Sequence, residues 1–347
     1  MQQPIPPHLR RRLLDWFRAE HRPLPWRESR DPYRVWISEA MLQQTRVEAV
    51  LDHYARFLAR CPTVEDLAAA SEDEVIALWS GLGYYSRARR LREAAQCIVE
   101  RHGGEFPRTR AEARALPGVG PYTAGAVLSI AHGLPEPLVD GNVARVFARL
   151  FELDGDLAST RLQKELWALA GALVPEEGAG DWNQALMELG ATVCTPRSPR
   201  CEECPVARDC RALALDRVGE LPRPKVRARP TEVRLELALA REGDAVLLEE
   251  RPAGGRMAGL WEPPTRELDL APGVEGALFP GQFAAPDALR LGSSCGELRH
   301  SITRYRIRGE VREARLVGEL APTWRWVSAS ELGEVGLTGM AKKVLGL

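Results

Sequence analysis

The sequence predicts a mainly α chain in two parts, an all-α region followed by a smaller α+β domain. Three observations carry this. Apolar residues recur at helical spacing from Leu9 to about Ala214, as in VWISEAMLQQTRVEAVLDHYARFL and RLQKELWALAGALV. After PRPKVRARP at 222–230 the pattern alternates as strands do, in VRLELALAR, AVLLEER and YRIRGEVREARLV, before WRWVSASELGEVGLTGMAKKVL closes in a helix. Four of the seven cysteines, Cys194, Cys201, Cys204 and Cys210, fall in one window at the end of the helical stretch.

Composition sets the outer limits. A chain of 347 residues with 45% hydrophobic content can bury the cores of two or three domains. The start MQQPIPPHLRRR lacks the apolar segment of a signal peptide, and no apolar run approaches the length of a bilayer crossing, so a cytoplasmic protein with no membrane partner is expected. Net charge is −1, so any nucleic-acid surface must come from local patches, of which SRARRLR at 86–92 and PRPKVRARP are the candidates. Arginine supplies nearly all the positive charge. The lysines are Lys164, Lys225, Lys342 and Lys343 alone.

In the first part, LPGVGPYTAGA at 116–126 reads as a tight turn between two helices. TRAEARAL forms the first, Gly118 and Gly120 are suited to positive φ, and Pro121 opens a second helix running through Ala131. That second helix begins with free N–H groups and a positive dipole end, and bare glycines let an anion such as a nucleic-acid phosphate come close. A helix connection that binds nothing fits the same turn. The cysteines are spaced C-x6-C-x2-C-x5-C. Four thiolates can hold zinc or a [4Fe-4S] cluster; zinc sites usually use two short pairs far apart, and here there is one, which favours the cluster.

The hairpin LPGVGPYTAGA, then VDGNVARV at 139–146, then the four-cysteine spacing resemble the helix-hairpin-helix DNA glycosylases that carry an iron-sulfur cluster. Within that superfamily LPWRESRDPYRVWISEAMLQQTRV, GLGYYSRARRL and NQALMELGATVC are similar to the adenine DNA glycosylases, which remove adenine mispaired with 8-oxoguanine or guanine. The resemblance covers nearly the whole chain. It implies a catalytic region over 1–221, with a six-helix hairpin-bearing module at about 27–135 and an iron-sulfur module built from the N-terminal helix and about 136–221. A linker over 222–230 then leads to a Nudix-like lesion-recognition domain over 231–347. It also implies a [4Fe-4S] cluster on the four cysteines and a monomer acting on double-stranded DNA.

The resemblance assigns roles to individual residues. Glu39 matches the acid that protonates adenine, Asp140 the carboxylate that stabilises the cationic sugar, and Asn142 a support for Asp140. A glutamate in an apolar helix segment tends towards a raised pKa, and Asp140 also suits the N-cap of a helix beginning near Val143. Tyr122 stands where related bifunctional enzymes carry an imine-forming lysine. No lysine lies between Met1 and Gln163, so the reaction is expected to stop at an abasic site. Trp26, Arg27, Leu42 and Gln184 map to the adenine pocket, with core packing an equal reading for Trp26 and Leu42; some members carry glutamate at the Gln184 position. Gln44 and Tyr84 match side chains that wedge into the duplex, and Thr45, Leu82, Gly118, Val119 and Gly120 belong with them on DNA.

The last part resembles a Nudix domain through RPAGGRMAGLWEPP and LTGMAKKVL. In place of the glutamate-rich magnesium helix stands TRELDLAPGVEGALFPGQF, broken by Pro and Gly, so recognition rather than phosphohydrolysis is expected. The family's H-x-F-[ST]-H loop aligns with His300 to Arg304, placing Ile302, Thr303 and Arg304 at the lesion, with Ile302 and Arg304 departing from the pattern. Two other readings are a bifunctional pyrimidine-lesion glycosylase with lyase activity and a non-catalytic DNA-binding protein. Missing lysines and the final domain oppose the first; Glu39 and Asp140 in their motifs oppose the second.

Overall fold

The computed structural model describes residues 7–223, 229–252, 257–270, 276 and 278–347. Most of the expected 222–230 linker and part of the Pro/Gly-broken segment therefore lie outside the described residues. The chain forms two compact units, Met1–Ala69 with Arg90–Val226, and Ala70–Arg89 with Arg227–Leu347.

Helices run in order as α1 (Pro7–Glu20), α2 (Pro32–Leu42), α3 (Val47–Arg60), α4 (Val64–Ala69), α5 (Glu72–Trp79), α6 (Ser86–His102), α7 (Arg110–Ala115), α8 (Pro121–Ile130), α9 (Gly141–Leu150), α10 (Thr160–Leu173), α11 (Ala179–Thr192) and α12 (Arg211–Ala214). Their starts follow local chemistry. Asp31 caps α2 by accepting from Tyr33 N, with Pro32 in the first turn, and Thr109 and Ser159 cap α7 and α10 in the same manner. In the first unit α11 packs against α1, α8 and α9, and α2 packs against α3 and α8. Trp36, Phe57, Phe147 and Trp182 are buried in its core. Among the described residues no helix is long and apolar enough to cross a membrane.

The hairpin between α7 and α8 differs from expectation at one glycine. Gly118 has φ +74°, where a Cβ would also meet the Arg90 Cβ at 2.8 Å. Gly120 instead has φ −84° and ψ 178°, because the residue before Pro121 is driven to extended backbone.

In the second unit the strands are β1 (Thr231–Glu242), β2 (Ala245–Glu250), β3 (Trp261–Glu262), β4 (Thr265–Glu267), β5 (Leu289–Ile302), β6 (Tyr305–Leu316) and β7 (Trp324–Val327), followed by α13 (Gly339–Leu345). The sheet order is β3-β2-β1-β6-β5, with β4 on β1 and β7 on β2. β1 and β6 pair in parallel, while β5 and β6 form an antiparallel hairpin closing on Ile302 opposite Tyr305. One face buries Val233, Leu235, Ile307, Val311 and Met340 together. Between Pro263 and Ala285 the described residues hold β4 and turns.

Candidate active site

The first unit brings Glu39, Tyr122 and Asp140 to one place. Glu39 sits in the last turns of α2 and is 5% exposed. The Tyr122 hydroxyl, at the start of α8, donates to Glu39 Oε2 and lies 3.4 Å from Met187 Sδ on α11. Burial pushes the Glu39 carboxyl up to about 7, against the lowering effect of the Tyr122 hydrogen bond and Arg27, while the charge of Asp140 adds to the rise. An acid with that pKa holds and releases a proton near neutrality. Burial and both neighbouring carboxylates raise Tyr122 well above its ordinary value, so its hydroxyl stays a donor.

Asp140 is the N-cap of α9, with Oδ1 accepting from Val143 N at 2.7 Å and Oδ2 from Asn142 Nδ2 at 2.9 Å. The helix starts at Gly141, two residues earlier than expected. Burial raises the Asp140 pKa, and the hydrogen bonds from Val143 and Asn142 with the Arg145 charge oppose that rise. At Gly190 the α11 backbone comes so close that a Cβ would lie 2.5 Å from Asn142 Cβ.

The remaining expected residues fall around this centre or apart from it. Trp26 is buried with its ring edge-on to Tyr54 at 5.4 Å. Arg27 donates to Glu188 Oε2 at 2.8 Å and stacks over Phe17. Leu42 and Gln184 are half-buried on α2 and α11. Gln44 is exposed in left-handed backbone with φ 58°, next to Thr45. Val119 is buried in the hairpin between its two glycines. Leu82 and Tyr84 belong to the second unit, as do Ile302, Thr303 and Arg304 at the β5–β6 tip. Thr303 has φ 51°, and the Arg304 guanidinium stacks on Tyr305.

Several residues beside the centre escaped sequence reasoning. Glu188, 1% exposed, accepts from Arg22 and Arg27; burial alone would raise it, but the two arginines hold it down at about 2. Its signal was an acid one helical turn after Gln184 within an apolar stretch. Gln43 Nε2 donates to Thr123 Oγ1 at 3.2 Å. Arg145 and Arg149 are buried one turn apart on α9. Arg145 donates to Asn142 Oδ1, Gly190 O and Cys194 O, each at 2.8 Å. Arg149 reaches Cys194 Sγ at 3.3 Å and the Thr195 and Pro196 carbonyls. Charged residues at i and i+4 on the apolar face of VARVFARL were the visible sign.

Cys194, Cys201, Cys204 and Cys210 are free and line one cavity with Arg149, Val193 and Ala207. Burial, reinforced by the other cysteines, pushes Cys204 up to about 12 and raises Cys201 and Cys210. Four crowded sulfurs of this kind become stable thiolates around a cationic iron-sulfur core.

Residues 37–171 match the HhH-GPD superfamily of base excision DNA repair proteins, 194–210 the iron-sulfur binding domain of endonuclease III, and 237–347 the NUDIX domain. Human adenine DNA glycosylase is 36% identical over 96% of this chain and 72% of its own, and the rat protein is 37% identical over 96% and 77%. The chain belongs to the adenine DNA glycosylase family. It is a DNA N-glycosylase of base excision repair that removes adenine, and it carries a [4Fe-4S] cluster, the matched iron-sulfur segment spanning 194–210. Among solved structures, a thermostable thymine-DNA glycosylase is 34% identical with a TM-score of 0.54, covering 59% of this chain and 95% of that one. Endonuclease III in a trapped covalent DNA intermediate is 26% identical with a TM-score of 0.52, covering 60% and 95%. The glycosylase therefore takes DNA as its substrate.

Proposed function

We propose that this glycosylase is monofunctional and excises adenine opposite 8-oxoguanine or guanine, acting as a monomer on duplex DNA. The observation that carries the reading is the buried Glu39 carboxyl, held by the Tyr122 hydroxyl and raised to about 7, with Asp140 beside it. Adenine leaves the stack, at a cost of a few kcal/mol, and enters a pocket made by Trp26, Arg27, Leu42 and Gln184. Protonated Glu39 gives its proton to adenine N7, and the glycosidic electron pair moves onto the leaving base. The sugar becomes oxocarbenium-like, stabilised by the Asp140 carboxylate, which Asn142 and Val143 N–H hold in place. Water adds to the anomeric carbon, Glu39 recovers the proton, and an abasic site remains.

Gln44 and Tyr84 fill the gap left by adenine, with Thr45, Leu82 and the Gly118–Val119–Gly120 backbone gripping the strand. The division into a catalytic region over 1–221 and a recognition domain over 231–347 belongs to this proposal, with Ile302, Thr303 and Arg304 reading the opposite base. The test is single-turnover release of free adenine from duplexes with 8-oxoguanine or guanine opposite. Faster release opposite 8-oxoguanine is expected, and no preference between the two would overturn the opposite-base assignment.

A further inference from the structure

The turn before α6 holds a backbone conformation that its own residues resist. Gly81 and Gly83 have φ of 109° and 70°, and Tyr84, which has a Cβ, follows with φ 49°. A side chain in left-handed backbone crowds the following carbonyl, so something outside Tyr84 must hold it there. Its own ring does not, being 48% exposed.

Arg87, the second residue of α6, contacts Leu82, Gly83 and Tyr84 of this turn. Its Nη2 donates to the Leu82 carbonyl at 3.2 Å and to the Gly83 carbonyl at 3.1 Å. Trp79 Nε1 donates to the same Gly83 carbonyl at 3.2 Å, and Arg87 N to the Tyr84 carbonyl at 2.9 Å. The guanidinium carbon is 5.3 Å from the Trp79 ring centroid and 5.5 Å from that of Tyr84. Trp79 is fully buried, so the flat cation rests on a fixed base while also lying over the Tyr84 ring. Burial lowers Arg87 to about 10, which leaves it charged at neutral pH. Lysine has neither the planar fork nor the flat face that these contacts use.

The geometry points to Arg87 as the positioning residue of the Tyr84 wedge: it locks the left-handed turn and covers one face of the ring, leaving the other face set for insertion into the duplex. The inference rests on the reading of Tyr84 as a wedge. Binding DNA then costs less ordering at the moment of base extrusion, because the ring is already placed.

The experiment is a double-mutant cycle on the full-length holoenzyme, using Tyr84→Ala, Arg87→Ala, Arg87→Lys and Tyr84→Ala/Arg87→Ala. Two readouts are taken at saturating enzyme: single-turnover adenine release, and fluorescence of a 2-aminopurine placed beside the target adenine, which brightens as the stack opens. Losing one wedge with its cation and hydrogen bonds is expected to slow release roughly 10- to 100-fold in Tyr84→Ala and in Arg87→Ala, with a matching loss of the fluorescence rise. The double variant should be within about threefold of Tyr84→Ala, and Arg87→Lys within about threefold of Arg87→Ala. Losses that multiply in the double variant, or a full wild-type rate in Arg87→Lys, would overturn the assignment. Weaker DNA binding with unchanged release at saturation would do the same, leaving Arg87 as a phosphate contact. A wild-type rate in Tyr84→Ala alone would instead remove the wedge reading, and the positioning role with it. Arg87→Gln, which keeps a planar donor, replaces Arg87→Ala in the cycle if the alanine variant fails to fold.

Discussion

Glu39→Gln should make this enzyme more stable in alkali while disabling it. The Glu39 carboxyl moves from an ordinary 4.5 to about 7 on folding, with burial the first cause. A raised carboxyl binds its proton more tightly in the folded chain than in the unfolded one. Its stabilising contribution is complete below pH 4.5 and is lost as pH rises through 7. At about 1.4 kcal/mol for each pKa unit the full loss is on the order of 3 kcal/mol, most of which accumulates between pH 5 and 8.5. Glutamine is neutral throughout and escapes it. Thermal midpoints of wild type and Glu39→Gln, measured on cluster-loaded protein, should be close at pH 5. At pH 8.5 they should separate in favour of the variant by on the order of 5 to 10 °C, given about 2–4 °C per kcal/mol for a unit of this size. Equal separations at both pH values would refute the reasoning that burial sets the Glu39 pKa.

Other outcomes follow from the same geometry. Glu39→Gln should keep DNA affinity but lose excision by roughly 10²- to 10⁴-fold in single-turnover assays, the usual share of a positioned proton donor. Borohydride added during turnover should trap little protein on DNA, since Tyr122 cannot form an imine; trapping at the level of a lyase would end the monofunctional reading. Thr303→Ala should slow excision opposite 8-oxoguanine more than opposite guanine, by roughly 10-fold for contacts worth about 1–3 kcal/mol in base readout. Arg145→Met should lower excision by roughly 10-fold or more while iron content per chain stays near wild type, because the Asn142 support for Asp140 is lost without removing a cysteine. Loss of iron in parallel with activity would place its effect in the cluster instead.

What could be read from the sequence was whatever is local. Asp140 could be placed because an N-cap is defined within three residues, and Val143 N indeed donates to it. The α7–α8 hairpin and strands β1, β2 and β6 were legible for the same reason, since turn residues and alternation act over short spans, whereas β5 carries no clean alternation and was not. Gly120 departs from the positive φ that its sequence suits because Pro121 drives the residue before it to extended backbone. Long-range partners were not legible. Nothing in the motif around Arg27 announces that Glu188, on α11, holds its guanidinium, and Arg145 could be seen as odd but not as the link between Asn142 and the Cys194 carbonyl. The grouping of Ala70–Arg89 with the C-terminal residues is likewise a property of tertiary contact, which periodicity does not encode.

A buried acid and an anion, without an amine nucleophile, are expected to remove adenine and leave the strand intact. The most direct test offers the wild-type protein three duplexes, with adenine opposite 8-oxoguanine, adenine opposite guanine, and thymine glycol opposite adenine, and measures base release separately from strand cleavage. Adenine should be released from the first two, with strands breaking only after alkali, and thymine glycol should remain. Strand cleavage without alkali at the rate of base release, or removal of thymine glycol, would show a lyase or a pyrimidine-lesion enzyme instead.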